Sequence, residues 1–246
     1  MKKHIALFST TLLLASFLGG ARAFAEEQQT EANPKSAETT VTGDLKLSDK
    51  GGFNPNPPSD DLHTKNHFDD TSYFGIAYQP NSFNIGNVPL ADSTEEQNIV
   101  FQGPDGDEKH FHVAVKDKTR SDQRTWSLKA KIETAIESQD LGINIKTGTI
   151  ANSVQRNINN GTDEFTSGDL IAQIQKDGSS NEVVNAANIV IGTEDVEVMK
   201  AENGKFVNGA YDLKLPQVEL NIPNPDKVKA QTLNTNVKWT LSDAPK

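Results

Sequence analysis

Cysteine is absent from the 246 residues. Its absence excludes disulfide bridges, thiolate zinc sites, a cysteine nucleophile and a lipid-bearing cysteine anchor. Positive charge is in short supply: 24 Lys and Arg stand against 34 Asp and Glu, a formal net charge of −10. That balance speaks against nucleic acid as a partner, because clamping a phosphate backbone needs clustered cations. Hydrophobic residues make up only 35%, so part of the chain is expected outside a packed core. No G-x-S-x-G elbow, H-E-x-x-H helix, Walker loop or dinucleotide fingerprint occurs, and no catalytic residue is assigned.

The first 25 residues have the layout of a secretory signal peptide. Lys2 and Lys3 precede an uncharged apolar run from Ile5 to Leu18, and Ala23-Phe24-Ala25 stands before Glu26. The run is short for a bilayer span of about 20 residues. Cleavage after Ala25 takes 25 residues from 246 and leaves 221; losing Lys2, Lys3 and Arg22 moves the net charge from −10 to −13. The polar end Leu241–Lys246 has no LPxTG sorting motif or apolar tail. The expectation is an exported protein, held at a surface without covalent linkage.

Residues 26–72 read as a flexible polar arm. Gly51-Gly52-Phe53-Asn54-Pro55-Asn56-Pro57-Pro58 is too rich in proline for a packed strand. Within the arm, Val41, Leu45 and Leu47 share one parity, which marks residues 39–47 as a candidate first strand. From Tyr73 the apolar residues alternate: Phe74, Ile76 and Tyr78; Phe111, Val113 and Val115; Trp126, Leu128, Ala130 and Ile132; Val237, Trp239 and Leu241. Period two means strands with one buried face. Turn signals separate them, and no helical stripe is present. The expected fold class is all-β, an antiparallel β-sandwich, Ig-like or related, over residues 73–246. Its core should include Ile76, Phe111, Val113, Leu128, Leu220 and Leu241. Pro216 cannot donate to a ladder, so residues 214–217 should form a bulge or an edge.

Trp126-Ser127-Leu128 and Trp239-Thr240-Leu241 hold the only two tryptophans. In a strand, residues i and i+2 share a face, so each motif presents an indole and an isobutyl group together. Two uses follow: core packing, or a sugar-binding platform. Parity with Val237 and Leu241 favours core or half-core for Trp239, and the same is expected of Trp126.

The paired motifs resemble the WxL-domain proteins of Gram-positive bacterial surfaces. The distal family pattern runs Tyr, three residues, an aliphatic, Thr, Trp, any residue, Leu, three residues, Pro. Here Val237, Trp239, Leu241 and Pro245 match, while Leu233 and Lys238 depart from Tyr and Thr. Phe74-Gly75-Ile76-Ala77-Tyr78, Ser82-Phe83, His112–Asp117, Tyr211–Pro216 and Leu220-Asn221-Ile222-Pro223 also fit family habit. The resemblance covers roughly Thr39 to Lys246. It implies a secreted protein retained at the cell wall, with peptidoglycan as receptor and Trp126, Leu128, Trp239 and Leu241 as the wall-binding motif. It also implies assembly with other WxL proteins and a membrane-anchored WxL-interacting protein.

A −13 chain meets an anionic wall without long-range attraction, so affinity should come from short-range contacts. Lys116, Lys118, Arg120 and Arg124 form the most basic window, read here as a solvated loop in preference to a carboxylate site. His110 with His112, and His63 with His67, have spacings that suit zinc. Surface histidines are the expected reading, with no metal and no cofactor. Asp105, Asp107 and Glu108 flank Gly106 as a polar turn, without calcium-loop spacing. A glycoside hydrolase acting on the wall is the enzymatic alternative, since carboxylates are plentiful.

Overall fold

The computed structural model describes residue 32 and residues 34–47, 51–69, 71–101, 110–137, 140–173, 181–202 and 204–244. The signal peptide and the Asp105–Glu108 turn lie outside the described residues. The chain divides between Leu45 and Lys46 into two units. In the first unit Val41 and Leu45 are exposed, and residues 39–47 form no strand. Alternation marks a face, but a strand forms only where a neighbour supplies the ladder.

The second unit is all-β and antiparallel. Its strands are β1 (His63–Lys65), β2 (Phe74–Pro80), β3 (Gln97–Val100), β4 (Phe111–Ser121), β5 (Thr125–Ile132), β6 (Asn144–Lys146) and β7 (Gln155–Asn157). They continue with β8 (Leu170–Ile171), β9 (Val183–Val184), β10 (Val190–Ile191), β11 (Val196–Ala201), β12 (Val207–Leu215), β13 (Glu219–Ile222) and β14 (Val237–Ala244). Three sheets form, with orders β1-β2-β4-β12-β7-β8, β10-β6-β13-β3 and β14-β5-β11-β9. All three sheets feed one hydrophobic core. Among the described residues there is no α-helix.

Strand β5 shows why the residues fold this way. Trp126, Leu128, Ala130 and Ile132 are buried, and the residues between them are half-buried. Phe111, Val113, Leu128 and Leu220 are buried as expected, whereas Ile76 and Leu241 pack half-buried at the core's margin.

Three expectations need correction. First, a bulge between Ile76 and Tyr78 puts Ile76 opposite Val115 but Tyr78 opposite Ala114. One extra residue shifts parity, so Tyr78 leaves the Ile76 face for the other side of the sheet. Second, Pro216 marks a change of sheet: β12 ends at Leu215 beside β4, and β13 starts at Glu219 between β6 and β3. Third, much of the proposed arm belongs to the packed body. Leu62 and His63 are buried, and β1 pairs with β2. The Pro-rich segment forms no strand, yet Pro55 and Pro57 are buried. The Asn54 amide donates to the carbonyls of Asn66 (2.8 Å) and Ala77 (3.2 Å).

Candidate functional site

The two W-x-L motifs lie side by side. Strands β5 and β14 are antiparallel neighbours, with Leu128 directly opposite Leu241, Ala130 opposite Trp239 and Trp126 opposite Asp243. The small Ala130 leaves room across the ladder for the second indole. Cross-strand apolar pairs of this kind are the stabilising unit of a sheet.

Trp126 is a core residue, 2% exposed. Its ring lies 6.2 Å from Phe74 and 6.3 Å from Tyr211, both tilted. Its Nε1–H donates to Asp117 Oδ2 at 3.0 Å. Asp117 is itself buried, and its Oδ1 accepts from Thr119 N (3.1 Å) and Oγ1 (2.6 Å). A buried carboxylate needs such donors to offset its lost hydration. The first motif is thus tied to β4 by a directional bond. Arg124 pairs with Asp243 and sits 4.2 Å over the Phe74 ring, closing the outer end of this cluster. Trp239 is half-buried and packs against the same core.

The basic window is not a solvated loop. Lys116 is 1% exposed; its ammonium lies 4.2 Å from the Phe68 ring centre and donates to the Gly52 carbonyl at 3.2 Å. Lys118 sits 3.1 Å over Phe53 and donates to its carbonyl at 2.9 Å. Both belong to β4, and the Gly51–Asp69 segment covers them. Burial lowers the affinity of Lys116 for its proton. Burial first, then the charges of Lys116 and Arg156, lower the Lys118 pKa to about 7.

The histidines pair differently from their sequence spacing. His63 and His112 come together, with ring centres 5.8 Å apart. His63 Nε2 accepts from the His112 backbone N–H at 2.8 Å, and its Nδ1 lies 2.6 Å from the Ser59 carbonyl. Both nitrogens are satisfied only in the neutral ring, and burial lowers the pKa to about 4. His112 Nδ1 meets Asp212 Oδ1 at 2.8 Å, while Tyr78 donates to Asp212 Oδ2 at 2.5 Å. The Asn157 amide donates to the Tyr78 hydroxyl at 3.0 Å. His110 lies against the Pro216 carbonyl, and His67 is exposed. Among the described residues no three His, Asp or Glu side chains are grouped to hold a metal.

One cleft collects carboxylates: Glu182, Glu197 and Glu202 line it together with Lys200. Lys200 bonds Glu197 at 3.5 Å and Glu202 at 3.3 Å. Glu182 accepts from the Tyr211 hydroxyl at 2.7 Å, and burial raises its pKa. A second cavity, of about 570 Å³, is lined by Lys46, Tyr73, Lys118, Arg120 and Arg156 and, among the described residues, by no carboxylate. Arg156 carries no sequence signal that would have singled it out; only the fold brings it to β4.

No curated protein matches the chain, and no solved structure matches it. The family of WxL domain surface cell wall-binding proteins matches residues 27–245. That span contains both paired motifs and every strand described above, so the chain belongs to the WxL domain surface cell wall-binding family.

Proposed function

We propose that the protein is held at the cell wall by non-covalent binding to peptidoglycan. The family is one of binding domains. In this reading Trp126, Leu128, Trp239 and Leu241 act through the fold, by locking β5 to β14, and the glycan does not stack on their rings. The observation that carries it is Trp126: a buried indole bonded to a buried carboxylate has no face free for a sugar. Assembly with other WxL proteins and a membrane-anchored partner belongs to the same reading and rests on the family resemblance. The test is co-sedimentation with purified peptidoglycan, followed by release with a chaotrope. Recovery of protein in the wash at neutral pH without chaotrope would count against retention.

A wall hydrolase is the second reading, favoured by the raised pKa of Glu182 in an acidic cleft. Lys200 engages the other two glutamates of that cleft, which among the described residues leaves no free carboxylate to serve as its partner in a pair. Soluble muropeptides appearing in the supernatant would favour the hydrolase.

A further inference from the structure

We propose that the cation-lined cavity beside β4 binds the terminal carboxylate of a peptide, such as a wall stem peptide. The proposal rests on the wall-binding reading and names the chemistry that the wall would present.

Among the described residues Lys46, Lys118, Arg120 and Arg156 line this cavity and no acidic residue does, on a chain in which acids outnumber bases 34 to 24. Like charges gathered without a counter-charge are unfavourable. Neither Lys46, Lys118, Arg120 nor Arg156 makes an ion pair among the described residues. Glu182 lies near enough to feel Arg156, but its carboxylate is engaged by Tyr211.

Two buried polar atoms at the cavity lack partners among the described residues. Arg156 donates through Nη2 to the Asn208 carbonyl at 2.6 Å, yet among the described residues its Nε–H has no partner, and neither has the Tyr73 hydroxyl. Buried polar groups are nearly always paired, so two orphans at one cavity ask for a ligand. The Arg156 Nε–H can only donate and the Tyr73 hydroxyl can donate as well as accept, so an acceptor satisfies both; a carboxylate offers two oxygens and suits a guanidinium.

The backbone is shaped to hold these cations. On β4, Lys118, Thr119 and Arg120 stand opposite the single residue Asn208, because Asp117 pairs with Gly209 and Ser121 with Val207. Arg120 adopts a left-handed conformation, φ 53°, which is uncommon for a residue with a side chain. Bulges of this kind re-aim side chains. A Cβ on Gly209 would meet Arg156 Nε at 2.8 Å, and one on Gly52 would meet Lys118 Cδ at 2.8 Å. The two glycines therefore leave the space the cationic side chains occupy.

The walls choose among anions. Leu47, Phe53 and Ile158 also line the cavity, and all three are exposed. Apolar surface beside cations fits a carboxylate that carries a small aliphatic side chain. A polyol-phosphate polymer has no such group to place there.

The test titrates the full chain with acetyl-D-alanyl-D-alanine and with its C-terminal amide, followed by NMR chemical shifts. The acid is expected to bind saturably, and the amide about tenfold or more weaker. Arg120→Gln alters only an exposed side chain. Gly209→Ala shifts Arg156 while leaving its charge. Both should weaken the acid about tenfold while melting as wild type. Equal binding of acid and amide, wild-type affinity in both variants, or binding of a glycerol-phosphate oligomer in preference to the peptide would overturn the proposal. Sedimentation with whole peptidoglycan separates the two levels. Wild type that sediments but ignores the peptide acid sinks the cavity assignment alone. Wild type that does not sediment sinks the wall reading beneath it.

Discussion

Removing the two indoles one at a time separates folding from recognition. Trp126 is 2% exposed, and truncating a fully buried tryptophan costs about 3–5 kcal/mol. Trp126→Ala also takes the donor from Asp117 Oδ2, leaving part of a buried carboxylate unpaired, so the upper end of that range is expected. Trp126→Phe keeps most of the apolar area and loses only the N–H, at about 1–3 kcal/mol. Trp239 is half-buried on β14, an edge strand of its sheet. Trp239→Ala should therefore cost roughly half as much, about 2 kcal/mol. For a chain of this size each kcal/mol lowers the melting temperature by about 2–4 °C. The expected order of melting is wild type, then Trp126→Phe and Trp239→Ala close together, then Trp126→Ala well below. Thermal melting is measured beside peptidoglycan sedimentation. Each variant should bind in proportion to its folded fraction. A Trp239→Ala protein that melts like wild type but stays in the supernatant would refute the reasoning and make that indole a ligand contact.

Three further outcomes follow from the second face of the large sheet. His63 has a folded pKa of about 4, below its ordinary 6.5. A depressed histidine contributes its stability fully above pH 6.5 and loses it as pH falls toward 4. The loss is about 3 kcal/mol, read from urea melts at pH 7 and pH 4, and an ordinary His63 pKa by NMR would refute it. Tyr78→Phe removes the donor to Asp212 and the acceptor for Asn157; it should cost about 1–3 kcal/mol in denaturant melts without altering wall binding. Gly161→Ala is strained at φ 81° and would put Cβ 2.3 Å from the Asn54 carbonyl. It should destabilise by about 1–3 kcal/mol and speed proteolysis of the Gly51–Asp69 cover, whereas wild-type protease resistance would contradict that contact.

What was legible in the sequence was the inward face of the sheets. Alternation located β4, β5 and β14, because a buried face against a polar one is a period-two signal. The cross-strand meeting of Leu128 with Leu241 was not legible, since register between distant strands leaves no local trace. The outward face of the large sheet also escaped. Gly51–Asp69 covers it mainly through asparagine amides and buried prolines, and such packing has no period. A single bulge at Ala77 moved Tyr78 across the sheet. Lys116 and Lys118 read as solvent-facing because charge usually means exposure. Their ammonium groups lie instead against aromatic rings and carbonyls supplied from 48 to 65 positions earlier in the chain.

The most direct test of the central claim is a binding isotherm of the full chain on peptidoglycan stripped of protein and of phosphate polymers. The account predicts saturable sedimentation, reversed by chaotrope and accompanied by no release of muropeptides. Equal recovery in the supernatant with and without peptidoglycan would contradict it.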